Sequence, residues 1–230
     1  MNEEVNTTQE ADDDEEVVLE RIIPEEEDNT PPPDRFERIQ PIFEHLKVDK
    51  VEINQEELRE KFNRLWQYED GDNMDEAEQY LLTVALFIYF AHIALDEFNI
   101  HTVKARKFVT QALIDWCKPE VDQQVEAEKA TDNPFKAFVE NGEPRVDATY
   151  FWRGFLRDTK KADENQWDYK MKQCWFHKFF IRYGRVDFIE SACDFDRIPW
   201  KAREDYVDLK LSNTFAKLGS FCQFKYTPKK

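Results

Sequence analysis

With 230 residues, 41% of them hydrophobic and 14% aromatic, the chain is long enough to bury a sizeable core, and one domain is the default. The formal charge of −17 is concentrated at one end, because residues 1–30 carry 13 carboxylates against a single base, Arg21, and about −5 is left for the rest. No basic stripe is present, which argues against nucleic acid; the first residues resemble no secretory signal, so a cytoplasmic setting is expected; and the longest apolar run, Leu81 to Leu95, falls short of the ~20 residues that cross a bilayer, so no membrane partner is expected.

In chain order, residues 1–34 form an acidic leader with too few large apolar side chains to offset the entropy of ordering, and it is expected to be disordered, with Pro31-Pro32-Pro33 as a stiff spacer. Residues 35–230 are expected to fold as a single unit, mainly helical over 35–142 and sheet-forming over 143–230. Asn54 and Glu57 make a capping-box-like start, after which Leu58, Phe62, Leu65 and Trp66 share one helical face. Asp75 and Glu78 repeat that signal before the run through Leu95, which has no polar face and reads as a central buried helix. A third helix begins near His101-Thr102, turns Val109, Ala112, Leu113 and Trp116 inward, and is expected to stop at Pro119, with Cys117 packed at its end. Two weaker helices come next, the last starting at Asn133-Pro134 and ending at Asn141-Gly142.

Beyond Gly142 the period changes. Trp167, Tyr169 and Met171 alternate with Asp168, Lys170 and Lys172, as in a half-buried strand. A short helix from Trp175 to Tyr183 is expected to end at Gly184. Val207, Leu209 and Leu211, then Cys222, Phe224 and Tyr226, alternate in the same way on either side of Gly219-Ser220 and read as an antiparallel hairpin. The fold class expected from these elements is α+β, a helical N-terminal layer on a small antiparallel sheet with an interleaved short helix and a pocket between the layers.

Four cysteines (Cys117, Cys174, Cys193, Cys222) are too sparse for a disulfide framework and read as free thiols or ligands. Cys174 falls where a strand hands over to a helix, a placement that could depress its pKa and suits a nucleophile. His177 lies three residues on. Cys193 and Asp196 repeat that offset, and Cys222 adds a third thiol from the last strand. The plain alternative is packing, since free cysteine is among the most buried residue types. Read as a zinc site, Cys174, His177, Cys193 and Cys222 make an irregular set from three elements, so no metal or other cofactor is expected and zinc is the weaker alternative. His45, His92 and His101 read as structural.

The segment from Gln173 to Tyr226, with Cys174, Gly184, Cys193-Asp194-Phe195-Asp196, Thr214, Gly219, Cys222 and Phe224 in that order, resembles the C-terminal signature of the L-2-amino-thiazoline-4-carboxylic acid hydrolase family, which is similar in turn to small-molecule-binding domains of the 4-vinyl-reductase type. Where that signature has Gly-Asp, this chain has Gly219-Ser220. The resemblance implies a small-molecule substrate and hydrolysis of a cyclic isothiourea to a carbamoyl-cysteine. That chemistry needs an attacking group, a proton carrier and a cation for the substrate carboxylate. Cys174 is the expected nucleophile, with Cys193 and Cys222 beside it. His177 or Asp196 would carry the proton, and Arg182, Arg185 or Arg197 would hold the carboxylate. The other readings are a non-catalytic sensor built on the same pocket and a scaffold that uses its acidic leader; the oligomeric state is left open.

Overall fold

A computed structural model describes residues 33–230, so the acidic leader lies outside the described residues apart from Pro33 and Asp34. The first helical elements are α1 (Gln40–Phe43), α2 (Gln55–Tyr68) and α3 (Glu76–Glu97). Both expected N-caps form: Asn54 Oδ1 accepts from the Glu57 amide, and Asp75 and Glu78 close a full reciprocal capping box. Two long helices, α4 (Thr102–Lys129) and α5 (Pro134–Thr149), complete the first half. Helix α3 is buried around nearly its whole circumference from Leu81 to Leu95, with α1, α2, α4 and α5 packed against it. Among the described residues it is also the one helix long and apolar enough to cross a membrane, but here protein covers most of it.

Both long helices run further than their sequence suggests. Helix α4 continues for ten residues beyond Pro119, and α5 passes through both Gly142 and Pro144. An interior proline costs about 3 kcal/mol through a lost backbone hydrogen bond and a clash. In α4 that cost is offset by tertiary burial of the added turns, which carry Val121 and the fully buried Glu128. Gly142 is not a stop but a contact: a Cβ there would lie 2.9 Å from Trp167 Cζ3, so a glycine inside α5 lets the indole of the sheet approach the helix. Cys117, accordingly, lies inside α4 and not at a helix end.

The second half begins with α6 (Trp152–Phe155), β1 (Arg157–Asp163) and β2 (Gln166–Met171). Strand β1 has no apolar alternation. It forms by pairing with β2 through the turn at Asp163–Gln166, and its run of lysines and aspartates suits an exposed edge. After α7 (Trp175–Arg182), Gly184 takes the expected left-handed conformation at φ 65°. Helices α8 (Ile189–Phe195) and α9 (Ile198–Lys201) precede β3 (Val207–Ser212) and β4 (Cys222–Pro228), which pair as the expected hairpin.

The antiparallel sheet has the order β1-β2-β4-β3, so the aromatic-rich strands β2 and β4 become central neighbours. Their register sets Trp167 opposite Tyr226, Tyr169 opposite Phe224 and Met171 opposite Cys222. All six side chains therefore share one face, because strand side chains alternate with a period of two. That face packs toward α5, where Phe138 meets the rings of Trp167 and Tyr226 edge-on at 5.4 Å. The architecture is α+β, as expected, and the described residues share one continuous hydrophobic core.

Candidate functional site

Between this aromatic sheet face and helices α4 and α5 lies a cavity of about 150 Å³. An engineered cavity of about that size in another protein holds a benzene ring, which sets the scale of an occupant. Cys174, Asp196 and Cys222 all line it, although they are spread over some fifty residues of sequence. The register explains part of the convergence. Met171 and Cys222 are opposite one another at one end of the central strand pair, and β2 leaves that end directly into Cys174, the N-cap of α7. Asp196 arrives separately, as the residue that ends α8.

Cys193 does not line the cavity, but its thiol, the Cys222 thiol and the Asp196 carboxyl are all close enough to disfavour a negative charge on Cys174. The Cys174 sulfur accepts the His177 backbone N–H at 3.4 Å, the contact expected to favour a thiolate. Burial outweighs it and holds the Cys174 pKa well above the ordinary thiol value. Burial also pushes Cys193 up to about 12, Cys222 up to about 11 and Cys117, on the α4 wall, up to about 12. At neutral pH the wall carries thiols and not thiolates. The expected depression at a helix N-terminus is absent because desolvation of the thiol outweighs the single backbone N–H that would favour its charged form.

Asp196 differs. Burial raises its carboxyl to about 6, against the opposing effects of the Tyr150 hydroxyl, which donates to Oδ1 at 2.8 Å, and of the Arg197 charge. A carboxyl that changes charge near neutrality beside a cavity is suited to exchanging protons with an occupant. The His177 imidazole lies against the Phe215 ring and outside the cavity lining, so only its backbone N–H reaches Cys174.

The three arginines expected to hold a carboxylate are all outside the cavity lining and already paired. Arg182 bonds Glu69, Arg185 bonds Asp187 at 3.1 Å, and Arg197 bonds Asp194 at 3.3 Å. The arginine that lines the cavity is Arg145 on α5. Sequence reasoning misses both Arg145 and Tyr150, because Gly142 and Pro144 read as the end of a helix and no motif spacing marks the residues after them. Behind Arg145 is a buried polar group in which Arg203, fully buried, makes two hydrogen bonds of 2.6 and 2.7 Å to Glu128 and one of 2.7 Å to the Pro199 carbonyl. The Tyr206 hydroxyl completes it, donating to Glu128 at 2.5 Å.

All four cysteines are free. Among the described residues no group of three or more histidine, cysteine or acidic side chains is arranged to hold a metal ion. Ser220 is exposed and outside the cavity lining, so the carboxylate this chain lacks at that position is not one that would face the occupant.

The family model described as L-2-amino-thiazoline-4-carboxylic acid hydrolase matches residues 82–226, more than half of the chain. The match runs from α3 into β4 and takes in every residue of the cavity lining except Tyr80. No curated protein and no solved structure matches.

Proposed function

The chain belongs to the L-2-amino-thiazoline-4-carboxylic acid hydrolase family, and from that premise we propose that it hydrolyses a small cyclic isothiourea in the cavity beside Asp196. The reading is carried by one observation, the buried Asp196 carboxyl with its pKa near 6 facing a space of ring size.

In the reaction, water adds to the ring carbon between sulfur and nitrogen, the carbon–sulfur bond breaks, and an N-carbamoyl cysteine with a free thiol is released. Asp196, as carboxylate at neutral pH, takes the proton of the attacking water. With a pKa near 6 it can then protonate the departing sulfur, whose conjugate thiol is a much weaker acid at about 8.5. Tyr150, through its 2.8 Å hydrogen bond, orients the carboxyl. The thiols of Cys174 and Cys222 form a polarisable wall. Because burial keeps Cys174 protonated, water is the better attacking group, and Cys174 shapes the site without bonding to substrate.

Incubating the full chain with L-2-amino-thiazoline-4-carboxylate and following carbamoyl-cysteine by mass spectrometry tests the reading. Turnover by the wild type is expected, with Cys174→Ser within about tenfold of it, a far smaller loss than removal of a general base produces. A covalent adduct on Cys174, trapped by acid quench and located by peptide mapping, would replace water with the thiol as nucleophile. Absence of product would favour a ligand-binding sensor in its place.

A further inference from the structure

The polar group behind α5 contains more positive charge than it neutralises, and this bears on what the cavity accepts. Glu128 is committed to Arg203 and Tyr206, which occupy three of the roughly four acceptor positions of a carboxylate. Arg145 approaches the same carboxylate only to 3.7 Å, too far for a hydrogen bond. Among the described residues its one hydrogen bond is from Nε to the Asn141 carbonyl at 3.1 Å, within its own helix. Both terminal nitrogens of its guanidinium therefore have donors to spare. The side chain lines the cavity while keeping 33% of its exposure, which puts it where the cavity meets solvent. The other acid at this end is Glu120. It is exposed, accepts from Gln124 Nε2 at 2.8 Å, and is screened by water. Trp167 adds a second unused donor, since its indole N–H is buried without a partner among the described residues.

We propose that Arg145 is the carboxylate-binding residue of the cavity, and that the Glu128–Arg203 pair supports it, making the site selective for a compact ligand with an anion at one end and a basic amidine at the other. Arg145 on α5 and Tyr150, the residue that caps the C-terminal end of that helix, both line the cavity. Tyr150 holds Asp196, which also lines the cavity, so a guanidinium and a carboxylate border the same space, one for each end of a five-membered ring with one carboxylate. The planar fork of arginine binds such a carboxylate through two parallel hydrogen bonds, which a lysine ammonium does not reproduce. This inference rests on the cavity being the ligand site of the proposed hydrolysis.

The test compares L-2-amino-thiazoline-4-carboxylate with its 4-carboxamide in the full chain, as wild type, Arg145→Gln and Arg145→Lys. In the wild type the carboxylate is preferred. Arg145→Gln should raise KM for the carboxylate about tenfold or more with a much smaller change in kcat, and should erase the preference; Arg145→Lys should fall between. A preference that survives Arg145→Gln overturns the assignment. A second measurement separates this outcome from failure of the hydrolase reading. L-thiazolidine-4-carboxylate, which has the ring and carboxylate but no amidine, should raise the melting temperature of the wild type and not of Arg145→Gln. Such protection without turnover would sink the hydrolase reading and leave the carboxylate site standing. A wild type that is neither protected nor selective overturns the carboxylate site itself.

Discussion

Two polar pairs join distant parts of this chain, the half-buried Asp196 with Tyr150 and the buried His92 with Ser191, and their surroundings differ. The first faces the cavity between α5 and the sheet. The second lies inside the core, with His92 Nε2 and Ser191 Oγ 2.8 Å apart, the imidazole stacked on Phe188 at 4.2 Å, and both residues nearly inaccessible. Burial disfavours the charged form in both. It raises Asp196 to about 6 and lowers His92 to about 4. The same physical cause therefore gives a carboxyl poised near neutrality where there is room for a ligand and a neutral structural bridge where there is none. Perturbation identifies burial; only the adjoining space turns it into chemistry.

The contrast can be broken in order of expected effect. Asp196→Asn should reduce kcat/KM by about 10²- to 10⁴-fold and abolish the rise in wild-type activity through about pH 6. Stability should move the other way. The folded protein holds the Asp196 proton more tightly than the unfolded chain does, so this group favours folding below about pH 4, and its contribution falls as pH rises through about 6. At pH 7 Asp196→Asn should therefore melt no lower than the wild type, and a clear drop in both melting temperature and activity would mean a structural role only.

Glu128→Ala probes the polar group behind Arg145, leaving Arg203 buried without its counter-charge. A loss of about 3–5 kcal/mol in urea unfolding is expected. A loss below about 1 kcal/mol would show that water or a rearranged neighbour takes over the arginine.

His92→Gln is the smallest change. The folded His92 pKa lies below that of the unfolded chain, so its contribution is fully present above about pH 6.5 and is lost as pH falls toward about 4. Between pH 7 and pH 4 the wild type should lose on the order of 2 kcal/mol relative to His92→Gln, with activity at pH 7 little changed. The two variants thus bend the stability curve in opposite directions over one window, and a matched pair of urea titrations at pH 4.5 and 7 reads both.

Several elements are legible in the sequence. Asn54, Asp75 and Glu78 announce their helices because capping depends on residues three positions apart. The β2 and β4 alternation announces strands with one apolar face, and three positions of the candidate site, Cys174, Asp196 and Cys222, fall in the segment whose cysteine spacing stands out. Other features give no local signal. Strand β1 is charged at five of its seven positions and is a strand because β2 pairs with it. The continuations of α4 past Pro119 and of α5 past Gly142 oppose local preference and are set by the surfaces they pack against.

The sequence by itself determined the elements whose stability is written within a few residues, the α+β class, and the chemical types available to a site. Tertiary structure decided which of them meet. It placed Arg145 in the cavity wall in preference to Arg182, Arg185 or Arg197, brought Tyr150 to Asp196, and kept the thiols protonated. The physical reason is that periodicity and capping act over one turn or one strand pair, whereas desolvation and ion pairing depend on every group packed nearby, most of them distant along the chain.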